Sequence, residues 1–157
     1  MEKINIICVD DEREVLNAVS RDLQCFNEFF HIEECESAEE CLELLEQFDA
    51  EQEYIALVIS DHVMMGKSGV ELLTEIEHDS RFVGTKKLLL TGLATQADTI
   101  RAINDSKLDN FFEKVWDVNA LVQTVRELLT AFIVEKGINY EDYIEVLDAP
   151  TLYRLLK

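Results

Sequence analysis

Ile4-Asn5-Ile6-Ile7-Cys8-Val9 runs straight into Asp10-Asp11, and the same pattern recurs three times further along the chain. Ile55-Ala56-Leu57-Val58-Ile59-Ser60 runs into Asp61, Lys87-Leu88-Leu89-Leu90 into Thr91, and Asn110-Phe111-Phe112-Glu113 into Lys114. A short apolar run without polar alternation suits a strand covered by helices on both faces. If the four runs are parallel strands, their C-terminal ends share one edge of one sheet, where open α/β folds build their sites. Three carboxylates, a hydroxyl and an ammonium then converge. Such a set points to a divalent cation, which takes hard oxygen ligands, and to a phosphoryl acceptor.

Between these runs the apolar spacing turns helical. Over residues 12–28, Val15, Leu16, Val19, Leu23 and Phe26 recur at helical intervals. A further strand is expected over residues 30–35, with Ile32 as its main core residue. Ser37 followed three residues later by Glu40 has the form of a capping box. The helix it opens carries Cys41, Leu42, Leu44, Leu45 and Phe48 on its apolar side. After the third strand come a Met- and Gly-bearing loop, residues 62–69, and a helix holding Val70, Leu72, Leu73 and Ile76. A less apolar helix over residues 96–106 has Ala97, Ile100, Ala102 and Ile103 available for packing. The fifth strand is short, about residues 108–113, and the last long helix covers residues 117–134. Five strands alternating with five helices predict an α/β fold: a doubly wound five-stranded parallel sheet with helices on both faces.

Gly137 interrupts this alternation. Asn139 then suits the cap of a short helix packing through Tyr140, Tyr143, Ile144 and Leu147. Pro150 suits the first turn of another, ending in Leu152, Leu155 and Leu156. The chain therefore divides into a main domain, residues 3–135, and a short helical C-terminal extension, residues 136–157, too small to be independent. The extension either docks on its own domain or supplies a homodimer contact.

The 157 residues, 48% hydrophobic and 30% charged, have the composition of a globular domain with a substantial core. A net charge of −19, from 14 basic and 33 acidic residues, disfavours direct binding to nucleic acid or to an anionic membrane. No apolar stretch approaches the roughly 20 residues needed to span a bilayer. Met1-Glu2-Lys3 leads directly into a strand rather than a signal-peptide core, so a cytoplasmic location is expected. Cys8, Cys25, Cys35 and Cys41 lack the C-x-x-C spacing of a zinc site and read as free thiols.

Taken together, Asp10-Asp11, Asp61, Thr91 and Lys114, each at a strand end, make residues 3–134 resemble a response-regulator receiver domain. This is the CheY-like phosphoacceptor module of two-component signalling. Singly, each residue has a plainer use, as a helix cap or an ordinary ion-pair partner. Four matches in order at four strand ends are specific. The resemblance implies a flavodoxin-like sheet of strand order 2-1-3-4-5. It also implies Mg2+ held by Asp10, Asp11, Asp61 and the backbone carbonyl of Val63. Asp61 is then the phosphoacceptor, attacking phosphorus as a nucleophile. Lys114 neutralises charge on the equatorial oxygens. The Thr91 hydroxyl bonds a phosphoryl oxygen, and Phe111 swings from exposed to buried, reshaping the face made by the fourth helix, fifth strand and fifth helix. The implied partners are a sensor histidine kinase or histidine phosphotransfer protein upstream, and a downstream protein or fused output domain. The implied module assists its own phosphorylation and dephosphorylation but is not an independent turnover enzyme.

Two features depart from the family pattern. Val115 replaces the proline that usually follows the lysine in a cis peptide bond. A cis bond before valine costs about 2.5–4 kcal/mol, so the sequence leaves open whether this bond stays cis or becomes trans with a shifted lysine or a looser loop. Met65 stands where the loop after Asp61 usually has proline. Apolar Val63 and Leu93 occupy positions that govern water access to the phosphoryl group, so slow self-hydrolysis is expected. The stretches 91–94 and 114–117 are loosely similar to receivers fused to cyclic-dinucleotide phosphodiesterase or similar signalling domains. Two other readings stand beside the switch. One is a degenerate receiver acting as a phosphorylation-independent interaction module. The other is a small aspartate-nucleophile phosphatase, which the valine at position 63 leaves without a general acid or base.

Overall fold

The two central strands, β1 (Ile4–Val9) and β3 (Tyr54–Asp61), are buried along nearly their whole length. A computed structural model of the chain describes residues 1–92 and 96–157, apart from the side chains of Gln96, Asp98, Thr99, Ala102 and Ile103. In it β2 (His31–Cys35), β4 (Lys86–Thr91) and β5 (Asn110–Glu113) join them in one parallel sheet of order β2-β1-β3-β4-β5. This is the doubly wound order expected. Period-two alternation sorts the strand side chains between two cores. Ile6, Cys8, Leu57, Ile59, Leu88 and Leu90 point to one, beneath α1 (Arg13–Asp22) and α5 (Val118–Lys136). Ile7, Val9, Val58 and Leu89 point to the other, beneath α2 (Ala38–Ala50) and α3 (Gly69–Glu77). Each fully buried aliphatic side chain contributes about 1.5–3 kcal/mol, so the two cores fix which edge every strand end reaches.

Several local expectations are corrected. The helix foreseen over residues 12–28 ends at Asp22, and a single tight 3-10 turn, Gln24–Phe26, follows. Leu23, Phe26 and Phe30 all join the core beneath α1 and α5. In β2 the buried residue is Cys35, whereas Ile32 is half-buried. At α2 the Ser37 hydroxyl accepts from the Glu40 N–H at 3.1 Å, but the Glu40 carboxylate turns to the Glu36 N–H at 3.0 Å, so the box is half made. The complete capping box lies at Ser68 and Glu71, opening α3. The Lys114–Val115 bond, which the sequence left open, is cis. Ala97 and Ile100 of α4 (Gln96–Ser106) are exposed, while Leu93 and the Ala102 and Ile103 side chains lie outside the described residues.

The C-terminal extension docks on its own domain. Gly137, at a φ of 71° that a side chain would strain, ends α5 and turns the chain back. A 3-10 turn, Tyr140–Tyr143, stands where a short helix was expected, and α6 (Ala149–Leu156) follows with Pro150 near its start. Tyr143 is completely buried, its ring centroid 5.5 Å from Phe30 and 6.2 Å from Phe29, and its hydroxyl donates to the Glu2 carbonyl. Arg126 of α5 stacks over Phe26 and donates to the Val146 carbonyl at 2.7 Å, so the returning segment lies on the α1 side of α5. Ile144, assigned to the packing face, is instead exposed. All four cysteines are free, with Cys8, Cys35 and Cys41 buried. Among the described residues no helix is long and apolar enough to cross a membrane.

Candidate phosphoryl site

Strand register brings the predicted residues together. Val9 pairs with Ser60, so Asp10, the next residue, is level with Asp61 at the end of β3. Asp61 pairs with Leu90, which places Thr91 one step further, and Thr91 pairs with Glu113, immediately before Lys114. The Lys114 N–H donates to the Thr91 carbonyl at 2.8 Å and continues that register past the end of β5. Four distant stretches of sequence thus meet at one sheet edge.

The charged groups are in contact. Lys114 Nζ lies 3.1 Å from Asp10 Oδ2 and 3.3 Å from Asp61 Oδ1. Asp10 and Asp61 are 2% and 4% exposed, so their charges are carried largely out of water and depend on this partner. Asp61 Oδ1 also accepts from the His62 N–H, and Asp10 Oδ1 from the Glu12 N–H, both at 2.9 Å. Asp11 is exposed and accepts from the Met65 N–H at 3.1 Å, tying the loop after β3 to the acidic pair. Val63 and Met65, on that loop, expose their side chains to solvent.

Burial, then the Asp10 charge, hold the Asp61 carboxyl above the ordinary carboxylate range, against the opposing pull of Lys114 and the His62 N–H. Burial works to lower the Lys114 ammonium. The hydrogen bond to Asp10 and the charges of Asp61 and Asp10 outweigh it, so its affinity for a proton is raised. A cation between carboxylates therefore offsets only part of their cost.

The donor set fits a hard divalent cation. Carboxylate oxygens from Asp10, Asp11, Glu12 and Asp61 lie within 4.8 Å of one another, and every donor is oxygen. Glu12 is the member that sequence reasoning missed, because it reads equally well as the start of α1. Thr91 is fully buried, yet among the described residues its Oγ1 has no hydrogen-bond partner. A buried hydroxyl without a partner is rare and suits an oxygen ligand arriving from outside the protein. Phe111 sits on β5 with 37% of its surface exposed.

Gly69 was also missed. A Cβ built on it would lie 1.9 Å from the Asp61 carbonyl oxygen, so only glycine lets the start of α3 close against the end of β3. Its N–H donates to the His62 carbonyl at 2.9 Å, locking the residue after Asp61. The sequence signal was available, since Ser68-Gly69-Val70-Glu71 has a capping-box spacing with glycine in the first turn.

Comparisons with known proteins point to one family. The response regulator receiver domain model matches residues 6–126. The hydrogenase transcriptional regulatory protein HoxA of Cupriavidus necator is 26% identical over 130 residues, which are 83% of this chain and 25% of HoxA. The response regulator Rre1 of Synechocystis is 30% identical over 129 residues, which are 82% of this chain and 52% of Rre1. The chain thus spans about a quarter and about half the length of these two relatives. Among solved structures, the signal receiver domain of an HD domain-containing protein from Pseudomonas fluorescens Pf-5 superposes with a TM-score of 0.73 at 24% identity, covering 83% of this chain and 98% of that one. A CheY-like receiver domain protein from Methanospirillum hungatei JF-1 gives 0.70 at 24% identity, covering 86% and 99%. These two structures share its fold.

Proposed function

We propose, because this chain belongs to the response regulator receiver domain family of two-component signalling, that it is a phosphoacceptor switch with Asp61 as the phosphorylated residue. The observation that carries this reading is the Lys114 ammonium held between Asp10 and Asp61, beside the buried hydroxyl of Thr91, which has no partner among the described residues. Asp10, Asp11, Asp61 and the Val63 backbone carbonyl are the proposed ligands of Mg2+, with Glu12 close by. When bound, Mg2+ supplies positive charge for the phosphoryl oxygens and relieves the crowded carboxylates.

Chemistry by the chain's own residues then follows. An Asp61 carboxylate oxygen forms the new bond to phosphorus, while the bond from phosphorus to the donor's imidazole nitrogen breaks and the freed imidazole carries away the electron pair. Lys114 neutralises charge on the transferring group, and its fixed position means that little reorganisation is needed. Thr91 Oγ1 donates to a phosphoryl oxygen. Phe111, part-exposed beforehand, is the side chain that follows Thr91 inward, biasing a pre-existing equilibrium of the α4/β5/α5 face.

The donor is a histidine kinase or a histidine phosphotransfer protein, and the output is a downstream protein or a fused domain. The protein works in the cytoplasm and is not a turnover enzyme. Residues 3–135 form the receiver unit, with residues 136–157 as an extension of it.

Mass spectrometry after incubation with Mg2+ and acetyl phosphate tests the reading. One phosphoryl group per chain, absent without Mg2+ and absent in Asp61→Asn, is expected. No labelling by acetyl phosphate or by any donor kinase would make the chain a phosphorylation-independent interaction module. Steady turnover of small phosphate esters would make it a phosphatase.

A further inference from the structure

Lys114 belongs to a segment in which the next residue does no anchoring. Val115 is 99% exposed, so its side chain touches almost nothing. The residue after it does the opposite. Trp116, the chain's single tryptophan, packs against the larger core, and its indole Nε1 donates to Asp22 Oδ2 at 2.8 Å. Asp22 is the last residue of α1, the helix that begins at Arg13 directly after the acidic cluster Asp10–Glu12. Immediately beyond, the Asp117 carboxylate accepts from the Ala120 N–H and caps α5.

The lysine segment is therefore held at two ends. On the β5 side the Lys114 N–H is bonded to the Thr91 carbonyl at 2.8 Å. On the α5 side the indole of Trp116 is both packed and hydrogen-bonded to α1. A buried or half-buried indole N–H ordinarily finds a partner, but this partner lies on the helix that grows out of the acidic cluster itself. Lys114 and the carboxylates it neutralises are thereby referred to one rigid frame. Without that tie, an extended lysine of four methylenes next to a solvent-exposed valine has many rotamers to lose before it can bridge Asp10 and Asp61.

We infer that Trp116 and Asp22 form a strut that positions Lys114 against Asp10 and Asp61, with Trp116 as a positioning residue for phosphoryl transfer. The inference rests on the reading of Lys114 as the cation of the phosphoryl site. It adds a requirement that this reading does not contain: the indole N–H and its acceptor on α1.

Two readouts test it on the full chain. Competitive acetylation by an N-hydroxysuccinimide ester, read by mass spectrometry, measures how firmly Lys114 is held and needs no phosphorylation. Trp116→Phe keeps an aromatic ring but removes the donor, Asp22→Ala removes the acceptor, and Asp22→Asn keeps an acceptor oxygen. In Trp116→Phe and Asp22→Ala, Lys114 should react about fivefold faster, the scale expected for losing one hydrogen bond, while the other lysines keep their wild-type rates. Asp22→Asn should stay protected, and the double variant should match either single one rather than multiply their effects. The same variants should be labelled at Asp61 by acetyl phosphate about fivefold more slowly at saturating Mg2+, with calorimetric Mg2+ affinity unchanged. Unchanged Lys114 reactivity in both Trp116→Phe and Asp22→Ala, or equal acceleration of all lysines, would overturn the strut. Absence of Asp61 labelling in the wild type would count against the phosphoryl switch alone, since Lys114 reactivity still judges the strut.

Discussion

Replacing Gly69 by alanine should damage the proposed phosphoacceptor through its backbone rather than its carboxylate. An added Cβ would stand 1.9 Å from the Asp61 carbonyl oxygen, 2.8 Å from its carbonyl carbon and 3.0 Å from His62 Cα. Every one of these neighbours is main chain, so no flexible side chain can yield. Relieving the clash needs a movement of roughly 1 Å between the end of β3 and the start of α3, and misplacement on that scale can cost about a hundredfold in rate. Overpacking of this kind also destabilises by about 1–3 kcal/mol, which for a chain of this size lowers Tm by roughly 2–12 °C. The assay is the rate of Asp61 labelling by acetyl phosphate at saturating Mg2+, measured beside a thermal melt. Helix propensity alone favours alanine over glycine by about 1 kcal/mol, so a variant limited by propensity would be more stable, not less. Gly69→Ala labelled at the wild-type rate with an unchanged or higher Tm would refute the close-approach reasoning.

Two further outcomes are expected. Asp61→Asn should stabilise the Mg2+-free protein at neutral pH, because burial and Asp10 raise the Asp61 carboxyl in the folded state. A raised carboxyl adds stability only while protonated: its contribution is complete below the unfolded value of about 3.9 and is lost as pH rises through the folded value. The gain in Tm from Asp61→Asn should therefore be seen at pH 7 and vanish in acid, and a Tm difference independent of pH would contradict it. Tyr143→Ala should cost about 3–5 kcal/mol in urea unfolding, as for other buried aromatics, whereas Tyr143→Phe should cost about 1 kcal/mol or less for one hydroxyl. Equal effects of the two Tyr143 variants would show that the ring does not hold the extension down.

Most of the fold was legible because its signals were local and repeated. Apolar runs of strand length, each followed by helical spacing, do not fit another layered architecture. The polar strand ends Asp10, Asp61 and Thr91 stood out because nothing in a buried run prepares for them, and Lys114 because it follows Phe111-Phe112-Glu113 at the matching place in the pattern. What escaped has a common physical origin: it depends on distances between segments far apart in sequence. Gly69 is an ordinary loop glycine until Asp61 lies against it. Trp116 is an ordinary core aromatic until Asp22 is seen 2.8 Å from its indole nitrogen. The ending of α1 at Asp22 was invisible for a different reason, since Leu23 and Phe26 keep helical spacing while the backbone does not. The capping boxes show the limit of motif reading. Ser37 and Glu40 match the pattern, yet Glu40 prefers the Glu36 N–H one residue earlier.

The C-terminal extension bears on where such a receiver ends. The family match stops at residue 126, but the core does not. Leu129, Phe132 and Ile133 continue α5 into it, and Ile138, Tyr143, Val146 and Leu147 join the same cluster as Phe26 and Phe30. Cutting the chain at the family boundary would strip apolar cover from α1 and its following turn as well as from α5. The extension also takes sides. Through Arg126 and Val146 it lies against the α1 flank of α5, while Glu135 reaches Lys86 of β4 on the opposite flank. Phe111 and Ile100 remain part-exposed, on β5 and α4. The proposed Thr91–Phe111 switch therefore has its outlet on the flank that the extension leaves open. Among the described residues, the extension builds stability on one side of α5 without covering Phe111 and Ile100 on the other.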